Sequence, residues 1–157
     1  MMMDDKKYIK RCIKLSREAL ERGDNPFGAL IANEEGVLVE SENKIMQDDV
    51  TNHAEIMVMR KAQEMLQTDD FSDYTIYSNC EPCPMCAFMM RELKFGRVVF
   101  GVKSPHMGGW SRWGILQDEG LSRFEPVFSD PPEVVPGVLE SKAKEVFNKA
   151  GWTIQDN

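Results

Sequence analysis

The sequence predicts a layered α/β domain with parallel strands, and three observations carry the prediction. Helix-like and strand-like segments alternate between about residues 52 and 102. Within Arg97 to Val102 the run Val98-Val99-Phe100 is continuously apolar, as strands buried on both faces are. The chain has 157 residues, 42% hydrophobic and 29% charged, which suits one globular domain with its own core, spanning 1–157.

The elements follow in order. Ile9, Cys12, Ile13, Ser16, Ala19 and Leu20 recur at helical spacing and predict a helix over about 6–22, stopped by Gly23. Residues 27–32 and 37–42 read as two strands joined by the turn Asn33-Glu34-Glu35-Gly36, a hairpin. A polar loop over about 43–51 leads to a helix at about 52–67, with Thr51 or Asn52 as its cap. Tyr74-Thr75-Ile76-Tyr77 marks a strand, and a cysteine-bearing loop leads to a helix at about 84–94. After the strand 97–102, residues 103–137 read as irregular, with Gly108-Gly109 and Pro131-Pro132. A helix at about 138–149 closes the pattern, with Leu139, Ala143, Val146 and Phe147 apolar.

Composition narrows the function. A net charge of −7 argues against a grip on phosphate backbones or anionic membranes, so nucleic acid and membrane are not expected partners. The apolar runs fall far short of the roughly 18 residues a membrane span needs. Met1-Met2-Met3-Asp4-Asp5 carries no apolar signal core, and the expected location is cytoplasmic. Three of the four cysteines, Cys80, Cys83 and Cys86, lie within seven residues, which in a reducing compartment suggests metal or catalysis.

The chemistry concentrates in two short segments. One is His53-Ala54-Glu55; the other is Pro82-Cys83-Pro84-Met85-Cys86, about thirty residues on. Each opens a predicted helix. A Cys-x-x-Cys in a first helical turn points both sulfurs to one side, and the helix end favours thiolates. One histidine and two cysteines make three zinc ligands, the number that leaves a catalytic site its open position. Glu55 is well placed to reach a water on that metal. Cys80 admits two readings: a fourth ligand closing a structural zinc, or a buried thiol beside the site.

These segments, with Pro26-Phe27-Gly28-Ala29, Glu42-Asn43 and Ser78-Asn79-Cys80-Glu81, resemble the cytidine/deoxycytidylate deaminase superfamily. The resemblance spans roughly Ile9 to Val102 and looks closest to the branch of guanine, cytosine and tRNA adenosine deaminases. It implies a three-layer α/β/α fold with a mixed central sheet of about five strands. It implies zinc (Zn2+) on His53, Cys83 and Cys86, with Glu55 as the catalytic acid and base. It also implies substrate contacts from Asn43, from Phe27 as a pocket wall, from the Ala54 N–H, and from the carbonyl of Ser78 or Asn79.

The segment 104–114 holds Trp110 and Trp113 and reads either as a substrate loop with aromatic stacking or as a packed or oligomeric surface. The expected function is hydrolytic deamination of a small aminated nucleobase, nucleoside or related heterocycle, with a guanine-type ring favoured. The alternatives are a tRNA adenosine deaminase and a non-catalytic zinc-stabilised domain. Methionine-rich helix faces and the aromatic loop predict a homodimer.

Overall fold

A computed structural model describes residues 4–45, 49–104 and 106–152; Met1, Met2, Met3 and Pro105, which figure in the sequence reading, lie outside them. The elements are α1 (Asp5–Glu21), β1 (Gly28–Asn33), β2 (Gly36–Glu42), α2 (Ala54–Leu66), β3 (Thr75–Cys80), α3 (Pro84–Glu92), β4 (Arg97–Val102), β5 (Glu133–Val135) and α4 (Glu140–Lys149). Short 3₁₀ turns at Ile115–Gln117 and Leu121–Arg123 interrupt the segment between β4 and β5.

The sheet order is β2-β1-β3-β4-β5. β1 pairs antiparallel with β2 and β3, while β3–β4 and β4–β5 are parallel. The sheet is therefore mixed and five-stranded. β5 falls inside the segment expected to be irregular. It is only three residues long, and prolines at 131, 132 and 136 hide its short Val134-Val135 signal.

Strand alternation divides the interior between two faces. Ile76 and Val98 join one core with Ile56, Met59, Ala87 and Met90 from α2 and α3. Tyr77 and Val99 join the other with Ile9, Cys12, Val146 and Phe147 from α1 and α4. Helices thus cover both faces, which is why β3 is buried at every position and β4 carries the continuous apolar run Val98-Val99-Phe100. Gly28 lets β1 touch α1 closely: an added Cβ would lie 2.4 Å from the Cys12 carbonyl and 2.6 Å from Leu15 Cβ. Arg97 ties β4 to α1 and β5 through Asp5 and Glu133, at 3.0 and 3.1 Å. No described helix is long and apolar enough to cross a membrane.

Arg91, near the end of α3, is 1% exposed. Its guanidinium donates to the carbonyls of Ile115, Asp118 and Ser129 at 2.7, 2.9 and 3.1 Å, and to Ser122 Oγ at 3.3 Å. The long β4–β5 connection is thereby fastened to the helix that begins with the cysteines.

The cap expected at Thr51 or Asn52 lies elsewhere. His53 is the N-cap residue of α2 and makes no side-chain cap bond. The capping oxygen is Asn43 Oδ1, which accepts the Ala54 N–H at 2.8 Å. This leaves the His53 ring available for other contacts.

Candidate active site and metal centre

The site lies at the carboxyl ends of β3 and β4, where two helices begin. His53 stands at the start of α2. Cys83 is the N-cap of α3, and Pro84, the first residue of that helix, presets the turn that brings Cys86 onto the same side. His53 Nδ1 is 3.6 Å from each sulfur, and the two sulfurs are 3.6 Å apart. Among the described residues this trio is the group whose ligand atoms meet closely enough for a metal. Ligands at about 2.0–2.3 Å from a tetrahedral zinc are separated by roughly 3.5–3.8 Å, so the donor set and its spacing fit zinc. Cys80 is outside the trio, and three donors leave one position open.

The three thiols near the site differ in acidity. The hydrogen bond from Cys86 and the neighbouring His53 hold the Cys83 thiol down to about 4. The bond to Cys83 and burial push Cys86 up, and burial beside Glu55 and Glu81 pushes Cys80 well above the usual thiol range. The hydrogen bond with Cys83 raises His53 against the effect of its burial.

Glu55 is 3% exposed. Burial, then the nearby Cys83 thiolate, raises its carboxyl above the usual glutamate value. Ser78 Oγ donates to Glu55 Oε1 at 2.7 Å, and Cys86 Sγ lies 3.5 Å from Oε2. One carboxylate is therefore fixed beside the metal trio without belonging to it.

A cavity of about 170 Å³ opens above these groups. His53, Glu55, Cys83 and Asn43 border it, as do Phe27, Cys80, Ile45, Met107 and Trp152. Asn43 is 1% exposed; its Nδ2 donates to Asp24 Oδ1 at 3.4 Å while its Oδ1 holds Ala54. One amide N–H and one lone pair of Asn43 are left over for a ligand.

Other expected contacts are placed differently. The Ala54 N–H is engaged by Asn43. Asn79 is fully buried, accepting from the Gly28 N–H and donating to the Pro26 carbonyl, both at 2.9 Å, so its amide anchors the start of β1. Neither Ser78 nor Asn79, whose carbonyl is the expected contact, borders the cavity; the Ser78 hydroxyl reaches the site through Glu55. Trp110 and Trp113 do not border the cavity. Trp110 packs on Phe100 with ring centres 5.9 Å apart, and Trp113 is 57% exposed with Arg112 over its ring.

Trp152 and Glu81 also carry no expectation from the sequence, and both border the cavity. Trp152 supplies the aromatic wall. Glu81, buried between Cys80 and Pro82, accepts from the Ser104, Trp110 and Ser111 N–H groups at 2.9, 3.1 and 2.7 Å and from Ser111 Oγ. It ties the 104–111 loop to the cysteine turn. Its position just before a Pro-Cys turn is the one local signal for that role.

Comparison with known proteins agrees with this geometry. The family model for the cytidine and deoxycytidylate deaminase zinc-binding region matches residues 2–102. The chain belongs to that family, and it is a hydrolase acting on C–N bonds, with zinc as the family's metal. It is 32% identical to the tRNA-specific adenosine deaminase of Bacillus subtilis over 143 residues, covering 90% of this chain and 84% of that one. It is 36% identical to the guanine deaminase of the same organism over 86 residues, 54% of this chain and 55% of that one. A solved structure from work on A-to-I editing by tRNA:A34 deaminases superposes with a TM-score of 0.74 at 28% identity, covering 89% of this chain and 98% of that one.

Proposed function

We propose that this chain hydrolytically deaminates a small aminated heterocycle, a nucleobase or its nucleoside. The observation that carries the reading is the cavity beside Glu55. At about 170 Å³ it is sized for a small ring, and its walls at Phe27, Ile45, Met107 and Trp152 are apolar. His53, Cys83 and Cys86 would hold the zinc. Bound there, zinc supplies an acidified water at neutral pH and an open coordination position.

The chain's own groups do the rest. Glu55 takes a proton from the attacking water as the water adds to the amino-bearing ring carbon. It passes that proton to the ring nitrogen, then takes the second proton from the new hydroxyl and gives it to the leaving amine, so that the carbon becomes a carbonyl, the C–N bond breaks and ammonia departs. Its raised carboxyl suits a group that must both accept and release a proton. Ser78 holds Glu55 in place, Asn43 offers a donor and an acceptor to the ring edge, and Phe27 covers the ring face.

A second reading, deamination of an adenosine in tRNA, is favoured by the comparisons: the match to the Bacillus subtilis tRNA-specific adenosine deaminase covers 90% of this chain, and the solved structure from work on tRNA:A34 deaminases covers 89% of it. Charge favours the small ring. The region after β4 interleaves Asp118, Glu119, Glu125, Asp130, Glu133 and Glu140 with Lys103, Arg112, Arg123, Lys142, Lys144 and Lys149, where strong RNA binding calls for lysine and arginine clustered on one face. The test is ammonia release from guanine, cytosine, adenine, their nucleosides, pterins and aminated triazines. A tRNA anticodon stem-loop is assayed beside them at low and moderate salt. Turnover of a small ring is expected. Efficient inosine formation in the RNA, with every small ring inert, would overturn the reading.

We also infer a homodimer. Met85 and Phe88 on α3 and Phe124 and Val127 in the β4–β5 connection are 39–63% exposed, a large apolar outlay for one small protein. Sedimentation at the mass of a single chain, with full activity, would refute it.

A further inference from the structure

We propose that Trp152 sets the size limit of the substrate: it closes the cavity around a bare aminated ring and shuts out the same ring carrying ribose. The inference rests on the small-ring deaminase reading and narrows it to the free base.

The backbone fixes where the indole goes. Gly151 adopts φ +79°, a left-handed conformation that glycine enters without a Cβ clash. Its N–H donates to the Asn148 carbonyl at 3.1 Å, and the Trp152 N–H donates to the Phe147 carbonyl at 2.9 Å. This paired arrangement ends α4 and turns the chain back over it, with the usual apolar contact between the two flanking positions. Here that contact is Trp152 on Phe147, ring centres 5.7 Å apart. The indole also meets Phe27 at 5.6 Å with planes at 72°, and Phe27 meets Phe147 at 5.4 Å. The three rings brace one another, and two of them, Phe27 and Trp152, border the cavity.

The volume decides what fits. About 170 Å³ is well below the roughly 300 Å³ at which pockets for drug-sized ligands begin. A flat base fits such a space and presents its faces to aromatic walls. A ribose adds a bulky, non-planar group whose hydroxyls would lose water where they meet the Phe27 and Trp152 rings; the polar lining residues Asn25, Glu81 and Ser104 are separate from that aromatic pair. Trp152 is also separable from the chemistry. It follows α4, whereas the metal trio and Glu55 sit at the starts of α2 and α3. Shortening it enlarges the cavity without touching those groups.

The experiment compares kcat/KM for guanine, cytosine and adenine with that for their ribonucleosides. The proteins are zinc-loaded wild type, Trp152→Ala and Trp152→Phe, each checked for zinc content and melting temperature. For the ring turned over, wild type should prefer the base on the order of 10²-fold, the discrimination a well-fitted apolar pocket reaches. Trp152→Ala should lower that preference by about tenfold through a gain on the riboside, and Trp152→Phe should lower it less. If the alanine variant does not fold, Trp152→Leu, which keeps an apolar contact with Phe147, is judged by the same criterion. Equal use of base and riboside by wild type, or an unchanged preference in a folded, zinc-bearing variant, overturns the size limit and leaves the deaminase reading standing. Absence of turnover of any base or riboside by zinc-loaded wild type overturns both.

Discussion

Glu55→Ala is expected to keep the fold and its zinc and to lose on the order of 10²–10⁴-fold in kcat, the usual worth of a positioned acid–base group. The separation of roles comes from geometry. Glu55 stands outside the His53, Cys83 and Cys86 trio, so removing it takes no ligand from the metal. Its carboxylate is 3% exposed and costly to keep ionised there, so the melting temperature of the variant should not fall. Glu55→Gln is the sharper comparison. It retains an acceptor for the Ser78 hydroxyl, 2.7 Å away, but cannot relay a proton. Metal analysis, melting and steady-state rates on the same preparations check the prediction. Near-wild-type turnover in a zinc-loaded Glu55→Ala protein would sink the assignment.

Cys83→Ser should lose its zinc and with it all activity, while Cys80→Ser should keep one zinc per chain. Both cysteines border the same cavity, yet only Cys83 has its sulfur 3.6 Å from both His53 Nδ1 and Cys86 Sγ. Their acidities also diverge. Cys83 is held down to about 4 by its hydrogen bond and by His53, whereas burial and carboxylate neighbours push Cys80 up. The geometry separates them: Cys86, whose thiol is also pushed up, has its sulfur 3.6 Å from His53 Nδ1 and from Cys83 Sγ, whereas Cys80 is outside that group. Metal content measured on both purified variants decides the matter. Zinc loss from Cys80→Ser would mean four protein ligands and a closed site, which leaves no position for chemistry.

What the sequence reveals of this site depends on distance along the chain. His53, Glu55, Cys83 and Cys86 are legible because each lies within the first turn of a helix or just before it, where spacing alone fixes direction. The two-sided burial of β4 is legible for a similar reason, since an unbroken apolar run such as Val98-Val99-Phe100 needs helices on both faces; that of β3, with Thr75, Ser78 and Asn79, is not. Contacts that cross the fold leave no such trace. The capping of Ala54 by Asn43 spans eleven residues of loop, and the Asn79 amide reaches back fifty-one residues to Gly28. Trp110 and Trp113 draw attention as an aromatic pair near the end of a strand, but Phe100 and Arg112 engage them away from the cavity. The aromatic wall is Trp152, and its only local sign is a glycine just before it, after a helix.

Arg91 makes shape and sequence separable in one part of the molecule. Three of the four groups it holds are main-chain carbonyls, those of Ile115, Asp118 and Ser129. A carbonyl is the same hydrogen-bond acceptor whichever side chain its residue carries. The connection between β4 and β5 can therefore exchange most of its side chains and still be drawn along one path over α3, provided its length and turns are kept. Substitution there is free to retune the outer surface of the connection while the guanidinium beneath preserves the route of the chain.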